Sequence, residues 1–166
     1  MQVILALAAI LGALWSALGP RPPPPLPEAI DRIVIDKSER RLDLVEDGRV
    51  LRSHAMSLGF APEGKKDRQG DGRTPEGVFR IDRRNDASRF HLSLGLDYPR
   101  PDDLARAAEG GYSPGGDIFI HGQPEGIEGR ARLAGDWTAG CVAVTNAAIE
   151  EIWRSAPIGT IVEIVP

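Results

Sequence analysis

Two strand-like segments flank an Asp-Gly pair, and this arrangement constrains the fold more than any other local feature of the chain. Residues 41–45 alternate between polar and apolar side chains, residues 46–49 (Glu-Asp-Gly-Arg) follow, and residues 50–58 continue the pattern. An Asp-Gly pair in this setting favours a β-hairpin, because both residues tolerate the positive φ angles of a tight turn. Other short apolar segments also favour strands, namely residues 32–36, 78–81, 117–121, 142–144 and 160–165. The sequence therefore predicts a mainly β fold.

Helical patterns are short and few. Residues 102–108 begin with two aspartates, which favour the start of a helix. Asn146 is placed to cap a second helix, in which Ile149, Ile152 and Trp153 share one face. We expect both helices to lie at the periphery of the β domain.

The composition of the chain divides it into three segments. Residues 3–18 carry no charge, which predicts a signal peptide or a membrane anchor over residues 1–19. Residues 20–28 are rich in proline and predict an extended linker. Residues 29–166 then have the length of one domain with its own core. We expect export to the periplasm or cell envelope, with membrane contact only through the N-terminal segment.

The charge and the metal-ligating residues exclude several classes of function. The net charge is −4 and the acidic and basic residues are interspersed, which argues against a nucleic-acid partner. The single cysteine cannot form a disulfide within the chain. The three histidines, His54, His91 and His121, show none of the short spacings of zinc ligands, so we expect no metal.

The pair of residues most able to carry chemistry is Cys141 and His121. Cys141 follows Gly140 and begins an apolar segment, and His121 ends another and precedes Gly122. An imidazole beside a thiol can take its proton and leave a reactive sulphur, which predicts fast alkylation below pH 7. Glycine before the cysteine lets backbone N–H groups converge on an oxyanion. The alternatives are a buried, inert cysteine and a structural histidine.

Several motifs, in order, resemble the L,D-transpeptidase catalytic domain family (YkuD-type). The family signature is a His-Gly pair followed by a Ser/Thr-X-Gly-Cys segment, and this chain has His121-Gly122 and then residues 138–141, Thr-Ala-Gly-Cys. Residues 70–79 are similar to the family segment GDGxTPEGxY/F, and residues 113–122 also match the family pattern. Residues 136–141 resemble the branch with an Asp-Trp-Thr-X-Gly-Cys motif.

The resemblance implies a fold and a role for each matched residue. It implies an L,D-transpeptidase-like β-sandwich with small peripheral helices, with Cys141 as the nucleophile and His121 as the base. The Gly122 carbonyl would orient the imidazole, and the backbone N–H groups of Ala139, Gly140 and Cys141 would form the oxyanion hole.

The resemblance also implies a substrate and a reaction that need no cofactor. Peptidoglycan stem peptides would be cleaved at an L-to-D bond beside meso-diaminopimelate, through a thioester that releases D-alanine. The acyl group would then pass to an amine, as in a transpeptidase, or to water, as in a hydrolase.

Two departures from the common family pattern leave the acceptor open. Ala139 replaces a histidine, and Ala143 replaces a basic or amide residue. The branch that this form resembles includes members thought to cut the amide joining peptidoglycan to an outer-membrane lipoprotein. An amidase or hydrolase that releases such a lipoprotein or trims stem peptides is therefore the alternative. A non-catalytic peptidoglycan-binding module is the alternative from another class.

Substrate contacts are predicted around the catalytic pair. Basic side chains in residues 59–75 could bind substrate carboxylates, although a solvated loop is the alternative. Strand-like residues 88–94 would direct His91 and Ser93 to one side. The predicted contacts are Arg73 (with its neighbours Lys65, Lys66 and Arg68), His91, Ser93, Trp137 and Thr138. For Trp137, packing is the favoured alternative because of the area that it buries.

Overall fold

The structure of the protein, a computed structural model, describes residues 23–166. Within these residues the elements follow in the order β1 Arg32–Asp36, β2 Arg41–Glu46, β3 Arg49–Ala55, β4 Gly77–Ser88, β5 His91–Leu96, α1 Pro101–Gly110, β6 Phe119–His121, β7 Val142–Ala143, α2 Asn146–Ser155 and β8 Ile161–Val165. The predicted mainly β fold with small helices is confirmed. The predicted signal peptide or anchor, residues 1–19, and the start of the linker lie outside the described residues.

The strands form one mixed sheet in the order β3-β2-β1-β8-β4-β5-β6-β7. The pairs β1–β8 and β6–β7 are parallel, and the other neighbours are antiparallel. β4 is the longest strand and belongs to both halves: its beginning pairs with β8 and its end with β5. Sequence patterning predicted only residues 78–81 of this strand, because its second half is largely exposed and charged.

The sheet folds over a single core, so that its two ends meet. Ser57, just after β3, forms a bridge with Ala143 of β7, and these strands stand at opposite ends of the strand order. Side chains of both halves, such as Leu44 of β2 and Ile120 of β6, belong to the same buried cluster. The predicted sandwich is thus one continuous sheet whose halves face each other across a shared core.

Helix α2 covers β5 and β6 and is capped differently from the sequence prediction. Thr145, and not Asn146, is the N-cap residue, and its hydroxyl accepts from the N–H of Ala148 at 3.1 Å. The side chain of Asn146 instead accepts from the Gln123 N–H and donates to Ile127, which ties the helix to the loop after β6. The hydrogen bond between Asn146 and Gln123 holds the chain just after His121.

Residues 23–28 have no regular secondary structure, and Leu26 packs against the core. Pro24 accepts a hydrogen bond from Arg52 of β3. Between residues 23 and 166, no helix has the length and apolar character needed to cross a bilayer.

Candidate active site

Strands β6 and β7 place His121 and Cys141 side by side. The parallel register pairs His121 with Ala143, so Cys141, two residues before Ala143, projects toward the same side as His121. Both residues line one open cavity of about 340 Å³, together with residues of the turn between β4 and β5. Two residues that are distant in sequence are thus brought to one site.

The imidazole of His121 is almost fully buried and held in one orientation. Its Nδ1 lies 2.7 Å from the carbonyl oxygen of Gly122, to which it donates. In a neutral ring this leaves Nε2 as the acceptor. Burial lowers the pKa of His121, and the hydrogen bond to Gly122 only partly opposes that effect. The ring is therefore held neutral, in the form that can accept a proton.

Two aromatic side chains pack around this imidazole. The Phe90 ring lies over it with centroids 4.5 Å apart and planes 31° apart, and Trp137 meets it edge-on at 5.8 Å. Phe90 lines the cavity of Cys141, whereas Trp137 lines neither cavity beside the thiol. Trp137 is therefore a packing residue for His121, the alternative favoured over substrate contact, and Phe90 is a contact that sequence reasoning missed.

The surroundings of the Cys141 thiol favour its protonated form. Its Sγ donates to the backbone carbonyl of Asp117 at 3.4 Å, and no hydrogen bond joins it to His121 among residues 23–166. Burial raises the pKa of the thiol, and a backbone hydrogen bond at Phe119 opposes that effect. Burial thus favours the neutral form of both groups, so the proton must pass from sulphur to Nε2 before the sulphur can attack.

The hydroxyl of Thr138 organises the backbone at the nucleophile. It donates to the carbonyl of Cys141 at 2.7 Å and accepts from the N–H of Gly140 at 3.1 Å. Thr138 is buried and its hydroxyl holds the backbone of this loop, while its role as a substrate contact stays a prediction. In the predicted oxyanion hole, the Gly140 N–H already donates to Thr138, and the N–H groups of Ala139 and Cys141 are its other predicted members.

An ion pair anchors the segment that leads to the nucleophile. Asp136 accepts from the N–H of Leu58 at 2.8 Å and pairs with Arg40 at the same distance. The backbone then continues the attachment, since Thr138 donates to the Leu58 carbonyl and its own carbonyl accepts from Phe60. The sequence marked Asp136 only as part of a motif and gave no signal for Arg40.

The structure separates His91 from Ser93, which were predicted to face one side. The chain turns at residues 89–90, between β4 and β5, and His91 has a φ of 68°. The His91 imidazole binds Glu150 of α2 at 2.8 Å and lines a different cavity from Cys141. Ser93 lines the cavity of Cys141, although its hydroxyl shares a hydrogen bond of 2.6 Å with Ser88. His91 thus lies outside the cavity of Cys141, and its role as a substrate contact stays a prediction.

The basic residues predicted to bind substrate make different contacts, and they differ in whether they line a cavity of Cys141. The Arg73 guanidinium donates to the Lys65 carbonyl at 3.4 Å and lines neither cavity beside Cys141, and its role as a substrate contact stays a prediction. Lys65 lies 3.7 Å from Asp103, and Arg68 pairs with its neighbour Asp67. Only Lys66 reaches a cavity that Cys141 also lines.

A second cavity of about 480 Å³ also has Cys141 in its wall. Its walls come from the glycine-rich segment before β4, from the loop before β6 and from the nucleophile loop: Lys66, Gln69, Gly70, Ser113, Gly115, Gly116, Asp117, Ile118, Ala139 and Cys141. The nucleophile therefore lines two separate cavities. Across residues 23–166, no group of three or more His, Cys, Asp or Glu side chains is placed to hold a metal ion.

The fold and this site define a family. Residues 30–164 match the L,D-transpeptidase catalytic domain (YkuD), and the chain belongs to that family. It is also 32% identical over 128 residues to YafK of Escherichia coli (strain K12), a provisionally assigned L,D-transpeptidase. The match covers 74% of this chain but 45% of YafK, so this chain spans about half the length of that relative.

Solved structures share the fold. The helical cell shape determining protein Pgp2 from Campylobacter jejuni superposes with a TM-score of 0.60 at 25% identity, over 81% of this chain and 47% of Pgp2. An L,D-transpeptidase from Xylanimonas cellulosilytica DSM 15894 superposes with a TM-score of 0.55 at 23% identity, over 92% of this chain and 68% of that one. The domain is thus an L,D-transpeptidase-like enzyme domain in sequence and in fold.

Proposed function

We propose that this protein is a cysteine acyltransferase that acts on peptidoglycan stem peptides at an L-to-D bond, as an L,D-transpeptidase. The observation that carries the proposal is that Cys141 and His121 line one open cavity, while Gly122 fixes the imidazole so that Nε2 is the proton acceptor. Membership of the L,D-transpeptidase catalytic domain family supports the substrate class.

In the first half of the reaction the thiol becomes a thioester. Nε2 of His121 takes the proton of Cys141, and the sulphur attacks the carbonyl carbon of the residue before D-alanine. The N–H groups of Ala139 and Cys141 stabilise the oxyanion that forms. His121 then gives the proton to the leaving nitrogen, the C–N bond breaks, and D-alanine departs.

In the second half an amine or a water molecule attacks the thioester. His121 accepts a proton from the attacking group, and Cys141 leaves as a thiol after the proton returns to sulphur. The two cavities that Cys141 lines support separate positions for the acyl donor and the acceptor. An amine acceptor gives a cross-link, whereas water gives a shortened stem peptide.

We also propose that residues 1–19 direct the domain to the cell envelope, where stem peptides are found. N-terminal sequencing of the protein recovered from a membrane fraction and a soluble envelope fraction tests this. A protein that stays in the cytoplasm would contradict the proposal.

Incubation of the full chain with defined muropeptides tests the activity. We expect loss of D-alanine, with a thioester adduct on Cys141 detectable by mass spectrometry, and no turnover by Cys141→Ala. The buried, inert cysteine or a non-catalytic wall-binding module predicts no adduct and no product. Cross-linked dimers identify a transpeptidase, free shortened peptide identifies a hydrolase, and release of a peptidoglycan-linked lipoprotein identifies an amidase.

A further inference from the structure

Lys66 is a buried cation at the wall of the second cavity beside Cys141. The side chain is 3% exposed, yet it borders the cavity that also contains Ala139 and Cys141. Lysine is rarely buried to this degree, because an ammonium group loses hydration that only hydrogen bonds and counter-charges can replace. The burial of Lys66 at this cavity therefore depends on the partners of its ammonium group.

The ammonium group of Lys66 has two partners and three hydrogens. It donates to Asp71 at 2.8 Å and to the carbonyl of Arg68 at 3.2 Å, and residues 23–166 supply no third acceptor. An ammonium group has three donors. One N–H of this cavity-lining lysine is thus left without an acceptor among these residues.

Asp71 offsets the charge of Lys66 but does not line the cavity. Of the ten residues that line it, Lys66 is the one cation and Asp117 is the one acid. The Asp117 side chain is 90% exposed and pairs with Arg83 at 3.2 Å, so it turns outward. The remaining walls are uncharged side chains and glycine backbone, which leave space for a small group beside the ammonium.

We infer that Lys66 forms a carboxylate subsite, in which its third N–H binds a carboxylate of the stem peptide while the adjacent carbonyl reacts with Cys141. The inference rests on the proposed function. Two carboxylates have this chemistry: the terminal one of the released D-alanine and the free one on the diaminopimelate side chain. Of the basic residues in this segment, only Lys66 lines a cavity shared with Cys141.

The wild-type full chain tests the inference first, with three stem tetrapeptides. One is unmodified, one has the terminal carboxylate as an amide, and one has the diaminopimelate side-chain carboxylate as an amide. Thioester formation on Cys141 is followed by mass spectrometry. We expect one of the two amides to lower kcat/KM for acylation by at least about 10-fold, since a hydrogen bond between charged groups is lost. The amide that does so identifies the carboxylate.

Charge-removing variants then link this selectivity to Lys66. In Lys66→Gln, kcat/KM for acylation by the unmodified peptide should fall by about 10-fold. The amidated peptide that reacts slowly with wild type should react with this variant as fast as it does with wild type. Lys66→Arg should restore part of the selectivity. Lys65→Gln is the matched control, because this neighbouring lysine is 48% exposed and outside the cavity.

The possible results separate this inference from the proposed function. If all three peptides acylate the wild-type protein with equal kcat/KM, the carboxylate subsite is refuted and the acyltransfer activity stands. The same holds if Lys66→Gln discriminates between the three peptides as wild type does. If no peptide acylates Cys141, the proposed function fails and this inference fails with it. The comparison of peptides on wild type needs no variant, so a poorly folded Lys66→Gln protein would not remove the test.

Discussion

The backbone carbonyl of Arg73 lies against the Cα of Gly140, so that a methyl group at Gly140 would approach that oxygen to 2.7 Å. Gly140 also has a φ of 135°, which residues with a side chain rarely adopt. The contact joins two motifs that are far apart in sequence. The backbone of Arg73 thus packs against the nucleophile loop, whereas its guanidinium contacts the Lys65 carbonyl.

Gly140→Ala should disrupt the nucleophile loop. We expect a loss of about 2–4 kcal/mol in the free energy of unfolding, from backbone strain and a collision that the sheet cannot relax. Urea unfolding measures the loss, and acylation of Cys141 should fall in parallel. Gly48→Ala is the control, because Gly48 also has a positive φ but has no atom near the added methyl, and it should cost about 1 kcal/mol. Equal losses in the two variants would show that the Arg73 contact is unimportant.

The pH dependence of Cys141 alkylation distinguishes a neutral thiol and imidazole from a preformed thiolate and imidazolium. The sequence alone predicts fast alkylation below pH 7, whereas burial raises the pKa of the thiol and lowers that of the imidazole. From the structure we expect slow reaction with iodoacetamide at pH 6 and a rate that rises only at a pH above the ordinary range of a cysteine thiol. A plateau below pH 7 that disappears in His121→Gln would instead demonstrate a preformed thiolate and imidazolium.

Phe90→Ala should raise the pKa of His121 toward its ordinary value. Burial lowers that pKa, and Phe90 covers one face of the ring at a centroid distance of 4.5 Å. NMR titration of the imidazole measures the shift, and kcat/KM should fall by about 10-fold as the ring loses its fixed position. Phe60→Ala, which removes an exposed ring outside this aromatic cluster, should change neither quantity. An unchanged His121 pKa in Phe90→Ala would refute the packing role.

Asp71→Asn should destabilise the protein at neutral pH but not in acid. Burial alone would raise the pKa of Asp71, but hydrogen bonds from Lys66 and from three backbone N–H groups lower it to about 2. Because the folded-state value lies below the unfolded value of 3.8, the stabilisation is present above pH 3.8 and is lost as the pH falls toward 2.

The size of this effect follows from the difference between the two pKa values. We expect Asp71→Asn to cost about 2 kcal/mol at pH 7, and the difference from wild type to shrink near pH 2.5. Urea unfolding at both pH values measures it, with Asp86→Asn in the exposed half of β4 as the control. A loss independent of pH would mean that the carboxylate charge is not the stabilising factor.

Local patterns predicted much of the fold. The Asp-Gly hairpin, β1, β8 and the start of β4 follow from alternation and turn residues, and the two helices lie close to their predicted positions. Patterning missed the second half of β4, since its charged residues resemble those of a loop. It also placed one strand across residues 88–94, where the chain turns and separates His91 from Ser93.

The amino-acid sequence by itself determined which groups are available for chemistry: one thiol, one imidazole beside a glycine carbonyl, and the glycine that precedes the cysteine. Only the tertiary structure decided their states and surroundings. Burial of His121 and Cys141, the engagement of the Gly140 N–H, the Arg40–Asp136 anchor and the choice of Lys66 among several basic residues all depend on contacts between distant segments. Local sequence specifies hydrogen-bonding groups and backbone preferences, but desolvation is set by the chain that folds over them.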